Sequence, residues 1–197
     1  MRSISSTLLT ILLAGCFARV HAQAPDRLQQ LFISLQDEGS TDKAANQLRE
    51  EAKQGSDVHG FLQSKLPSLI ARTQSREVWL NAVKLAGDIK VEGAIPVLIK
   101  ELGNIGTKDS ATTFYRQASL EDDPPGKALV AIGEPSVEPV SQALHSTDLS
   151  ERSRAMYVLI NIGSPAAKDE LRKHVPEEKD PGIILAIQSA LQRTKDQ

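Results

Sequence analysis

The chain has 197 residues, 40 % of them apolar and 24 % charged, which suits one folded domain or one short repeat array. Aromatic residues make up only 4 %, so Ala, Leu, Ile and Val must build the core. The net charge is −2, with no basic excess, which argues against a nucleic-acid partner. The only cysteine, Cys16, lies in the N-terminal apolar stretch, so the rest of the chain can form no internal disulfide and no thiolate metal cage.

Residues 1–22 read as an export signal. Arg2 supplies the positive start, and Leu8, Leu9, Ile11, Leu12 and Leu13 form an apolar run too short to span a bilayer. Two processing routes compete. Leu13-Ala14-Gly15-Cys16 resembles a bacterial lipobox, which would make Cys16 the lipidated N-terminus and the only membrane attachment. Val20-His21-Ala22 resembles an ordinary signal-peptidase site, with Gln23 following. Removing residues 1–22 takes away Arg2 and Arg19 and shifts the net charge from −2 to −4.

From Pro25 onward the apolar residues recur at helical spacing. Leu28, Leu31, Phe32 and Leu35 fall on one face of a first helix. Ala44, Ala45, Leu48 and Ala52 make the next stripe, ended by Gly55-Ser56. Ser56 and Asp57 suit the N-cap of a third helix carrying Val58, Phe61, Leu62, Leu66, Leu69 and Ile70, in which Pro67 predicts a kink or a local end.

A repeat emerges when Gly87, Gly133 and Gly163 are superposed. One residue before them stand Ala86, Ile132 and Ile162. Four before stand Val83, Leu129 and Leu159. Five before stand Ala82, Ala128 and Val158, and eight before stand Trp79, Pro125 and Ala155. These offsets form the buried stripe of a helix, and each glycine is expected to end its helix in the left-handed conformation. A second helix follows in each unit: Ile95, Leu98 and Leu102; then Val137, Val140 and Leu144; then Ala167 and Leu171. Pro135 and Pro165 sit in the first turns of two of them.

Gly133 to Gly163 is 30 residues, but Gly87 to Gly133 is 46, so residues 103–121 read as an insertion. Phe114, Tyr115 and Arg116 within it are of types enriched in interface hot spots, or else they cover the seam between repeats. Asp180-Pro181-Gly182 echoes Asp123-Pro124-Pro125-Gly126. It opens a last helix on Ile183, Ile184, Ile187, Ala190 and Leu191, which departs from the pattern and suits a terminal cap.

Two segments carry a family resemblance: Asn81-Ala82-Val83-Lys84-Leu85-Ala86-Gly87 with Ala94-Ile95-Pro96-Val97-Leu98, and Lys127-Ala128-Leu129-Val130-Ala131-Ile132-Gly133 with Val137-Glu138-Pro139-Val140. Here the chain resembles the HEAT-repeat superfamily, especially the short repeats of phycobilisome lyases. The likeness covers about 75–175 and is fainter over 41–70. It implies an all-α fold over 25–197, an α-solenoid of HEAT-like antiparallel helix pairs, and protein binding.

Catalytic motifs are sparse. His59, His145 and His174 are far apart in sequence and read as partners of helix ends rather than metal ligands. No serine sits in a nucleophile elbow, and Gly103-Asn104-Ile105-Gly106 reads as a helix stop rather than a phosphate loop. Glu50-Glu51 do not face each other on a helix. Asp122-Asp123 suit a helix start, with few further oxygens for calcium. Glu177-Glu178 read as a solvated loop.

The expected function is therefore a non-catalytic, exported scaffold for a protein partner, with no cofactor and no metal. It would act in the periplasm, on an envelope membrane or outside the cell. Lys100, Glu101, Gln142, His145, Lys168 and Arg172, on the second helices, are candidates for its concave surface. Two alternatives stand beside it. One is an enzyme or enzyme helper related to the phycobilisome lyases, which a visible absorbance band on the purified protein would reveal. The other is an accessory subunit of an envelope complex.

Overall fold

The structure, a computed structural model, describes residues 27–55, 57–103 and 123–193. Every regular element among them is helical. α1 covers 27–35. Then come α2 (Thr41–Gln54), α3 (Asp57–Arg72), α4 (Arg76–Asp88), α5 (Ile95–Lys100), α6 (Pro124–Ile132), α7 (Val137–Ala143), α8 (Leu149–Ile162), α9 (Pro165–His174) and α10 (Pro181–Arg193). Single 3₁₀ turns, Glu92–Ala94 and Glu134–Ser136, lead into α5 and α7.

The helices start where side chains can cap them. Ser75 accepts from the Val78 amide, Asp123 from Gly126, Asp148 from Ser150 and Glu151, and Ser164 from Ala167. Pro124 and Pro165 stand in first turns, where a missing N–H costs nothing. Asp57 is already the first residue of α3, while Ser56 lies outside the described residues.

Most positions of the expected stripes are the core, while Leu31, Ala52, Phe61, Leu102 and Ile162 are half-buried. Val83, Leu129 and Leu159 are all fully buried, as are Ala82, Val158 and Ala155, with Ala128, Ile132 and Trp79 close to it. Leu98, Val140, Leu144, Ala167 and Leu171 line the inner face of the second helices. α10 follows the expected face less closely. Ile183 and Ile187 are buried, Ile184 and Ala190 are half-buried, and Leu185 is exposed.

Two helix ends fall elsewhere than at the expected residue. α4 does not end at Gly87. It runs on to Asp88, and the left-handed residue is Lys90, at φ 56°. Gly87 serves contact instead, because a Cβ there would stand 2.8 Å from the Ala128 Cα of α6. Gly163 does take the left-handed cap (φ 64°, ψ 6°), whereas Gly133, at φ 85° and ψ −133°, occupies a region open essentially to glycine alone. Of the kink or local end expected at Pro67, the end is not found, since α3 continues through it. A proline at 67 offers no N–H to the Gln63 carbonyl one turn back. Gly93 approaches that turn closely: its amide donates to Gln63 Oε1 at 2.6 Å, and a Cβ on it would meet the Gln63 carbonyl oxygen at 2.9 Å.

Packing alternates along the chain. α4 lies against α2 and α6, and α8 against α6 and α10. α5 lies against α3 and α7, and α7 against α9. Polar ties reinforce the first set: Asn81 of α4 donates to Asp42 of α2 at 2.8 Å, and Arg49 of α2 to Asp88 of α4 at 2.6 Å. Among the described residues no helix is long and apolar enough to cross a membrane.

Candidate functional site

Six of the expected interaction residues can be placed. Lys100 closes α5 and is exposed. Gln142 is exposed on α7 and donates to Glu138 Oε1 at 2.7 Å. Arg172 is exposed on α9 and pairs with Asp169, one turn earlier. His145 is exposed just past α7. Glu101 and Lys168 are half-buried. Cys16 and the trio Phe114, Tyr115 and Arg116 lie outside the described residues. The segment holding that trio nevertheless begins and ends at one carboxylate. Asp123 Oδ1 accepts from the Gly103 amide at 3.4 Å and caps α6 through Gly126 at 3.1 Å, while Oδ2 meets Arg154 of α8 at 3.3 Å. Those bonds occupy the carboxylate that a calcium reading would need.

The densest polar chemistry lies where α7 and α9 end. Glu178, expected in a solvated loop, is instead buried, with 2 % of its side chain exposed. Arg152 of α8 grips it with Nε at 3.0 Å from Oε2 and Nη2 at 3.3 Å from Oε1. The amides of Lys179 and Asp180 donate to Oε1 at 2.8 and 2.9 Å, and His174 Nε2 lies 3.0 Å from Oε2. Burial alone would raise this carboxyl's pKa. The hydrogen bonds from Arg152, Asp180, His174 and Lys179 outweigh it and bring the value down to about 2.

An ionised carboxylate can only accept, so His174 donates its Nε2–H to Glu178. Its Nδ1 is buried and has no hydrogen-bond partner among the described residues. His145 stacks edge-on against His174 with ring centroids 5.3 Å apart. His145 Nδ1 lies 3.4 Å from Glu177 Oε2. The two histidines, Glu177, Glu178 and Arg152 border a cavity of about 260 Å³.

Sequence reasoning left the two histidines apart and missed Arg152, Glu177 and Glu178 as a group. One signal was present. His145 stands 12 residues after Gly133, and His174 stands 11 after Gly163, so the repeat puts them at nearly matching places in neighbouring units. No model of a known protein family matches the chain, and no curated protein matches it.

Proposed function

We propose that the chain is an exported, non-catalytic scaffold, a short α-solenoid of HEAT-like antiparallel helix pairs that binds a protein partner along its α5–α7–α9 side. The alternate packing carries this reading. First helices touch first helices and second helices touch second helices down the chain, as stacked pairs require. Such stacking leaves one side of the second-helix layer open to a partner. Lys100, Gln142 and Arg172 are exposed on those helices. The large apolar side chains exposed among the described residues, Ile33, Leu149 and Leu185, lie on three separate helices, which favours a polar contact over a greasy one.

The decisive experiment is a cross-linked pull-down from the native envelope with the full chain. A triple alanine variant at Lys100, Gln142 and Arg172 should lose the captured partner while its melting curve is unchanged. A control on first helices, Lys84→Ala with Lys127→Ala, should keep it. Equal loss in both would place the contact elsewhere. Intact-mass measurement of the same material checks export. A lipid adduct on Cys16 or a start at Gln23 fits the proposal, and an intact Met1 in the cytosol does not.

A further inference from the structure

We propose that His145, His174 and Glu177 form a site for one first-row divalent metal ion, with zinc as the best match to two imidazoles and one carboxylate. Each residue offers one donor atom, and the three atoms lie within 4.8 Å of one another. This goes beyond the scaffold reading and stands without it.

The preparation of His174 carries the inference. Glu178 holds the ring through Nε2 at 3.0 Å and is itself fixed by Arg152 and two backbone amides. That leaves an unpartnered Nδ1 in a side chain only 5 % exposed. A carboxylate gripping one imidazole N–H while the other nitrogen coordinates is the usual outer-shell support of a metal-bound histidine. A buried ring nitrogen that faces a cavity with no partner in the protein is placed to take a ligand from it.

The other two donors fit the same geometry. The 3.4 Å between His145 Nδ1 and Glu177 Oε2 is long for a hydrogen bond. It is close to the ligand-to-ligand edge of a tetrahedron with bonds of about 2.0–2.1 Å, which is about 3.3 Å. The widest of the three gaps, within 4.8 Å, must close by no more than about 1.5 Å to reach that edge. His145 and Glu177 can make the adjustment, since their side chains are 61 % and 62 % exposed. His174 is the fixed anchor and they are the two arms. The C-terminal end of α9 adds partial negative charge. Arg152 is neutralised by Glu178, and Lys179, which also borders the cavity, is exposed. Three protein ligands leave one coordination position for water on the cavity side. An ion held this way would pin the turn after α7 to the turn after α9.

Zinc should be titrated into the full chain, prepared without a polyhistidine tag and stripped with chelator, in competition with a chromophoric chelator. The expected result is one equivalent bound. His145→Ala and Glu177→Gln should each weaken it more than about 100-fold, and Glu178→Gln by about 10–100-fold. His59→Ala, at a distant exposed histidine, should match the wild type. Helicity in chelator should be unchanged in the His145 and Glu177 variants. Cobalt in place of zinc should give the intense visible band of a four-coordinate ion on the wild-type chain alone. A wild-type chain that does not compete for zinc at micromolar concentration overturns the proposal. So does His145→Ala binding as tightly as wild type, or a six-coordinate cobalt spectrum.

Discussion

The α4–α6 seam and the buried carboxylate at the end of α9 hold helices together by opposite chemistry. At the first, Gly87 removes a side chain so that α4 can approach Ala128 of α6, and the rest is fully buried aliphatic packing around Val83 and Leu129. At the second, a buried carboxylate gathers an arginine, a histidine and two backbone amides from α8, α9 and the following turn. An apolar seam stabilises through area and is indifferent to pH. A buried ionic node stabilises only while every partner is present and charged. The chain is thus held by packing towards its middle and by a titratable junction towards the end of α9.

Packing should show the largest losses. Leu129→Ala and Leu159→Ala remove fully buried side chains at matching repeat positions and should each cost about 2–5 kcal/mol in chemical denaturation. Lys127→Ala, exposed beside the first, should cost under about 0.5 kcal/mol. Equal small losses at all three would mean that the stripe does not hold the repeats together.

The ionic node should be nearly as costly, and sensitive to acid. The Glu178 pKa lies at about 2, below its ordinary value of 4.5. A carboxyl depressed on folding contributes its stability above the unfolded value and loses it as pH falls through the folded one. The window is therefore about pH 4.5 down to 2, and the amount is about 3 kcal/mol. Arg152, His174, His145, Glu177 and Lys179 share the cavity, so the comparison is Glu178→Gln against wild type with chelator present. The variant should be less stable at pH 7, and the gap between the two unfolding free energies should narrow as pH falls from about 4.5 and close near 2. A constant gap across that range would mean that the carboxylate's charge is not what stabilises the junction.

How much of this could be read in the sequence follows the same division. Apolar stripes are periodic, so offsets −1, −4, −5 and −8 from three glycines located the core of α4, α6 and α8. The glycines themselves were harder, because one residue type serves two purposes. Gly163 is a left-handed cap, whereas Gly87 is a contact point inside a helix, and only the packing of α6 tells them apart. Glu178 looked like a loop residue because its main partner, Arg152, is 26 positions away and nothing local announces the pair. The histidines were legible only as residues. Their meeting depends on the stacking of two units, which the glycine spacing implied without naming them.

The smallest effect is expected between the two seams. Residues 103–121 read as an insertion because the flanking units already own their stripes. Residues 104–121 lie outside the described ones, but Asp123 bears on the test. Its carboxylate accepts from the Gly103 amide and caps α6, so the two ends of the intervening chain meet at one residue. Arg154 of α8 holds the same carboxylate, and a Cβ at position 103 would run into its guanidinium, so the junction is tied to the stack from outside the segment. A link joining ends that already meet need not be long. Replacing 106–119 with a short Gly-Ser connection should change stability by no more than about 1 kcal/mol, since closure entropy varies slowly with length. The Asp123 cap should survive, and Leu129→Ala should cost the same in the shortened chain as in the full one, because the two perturbations share no partner. If Phe114, Tyr115 and Arg116 meet the protein partner, the deletion should abolish capture at an unchanged melting temperature. If they cover the seam, the shortened chain should melt early and capture should fall only with the unfolded fraction. A shortened chain that cannot fold would show that 106–119 supplies a packed element, and the 46-residue spacing would then mark a longer repeat rather than an insertion.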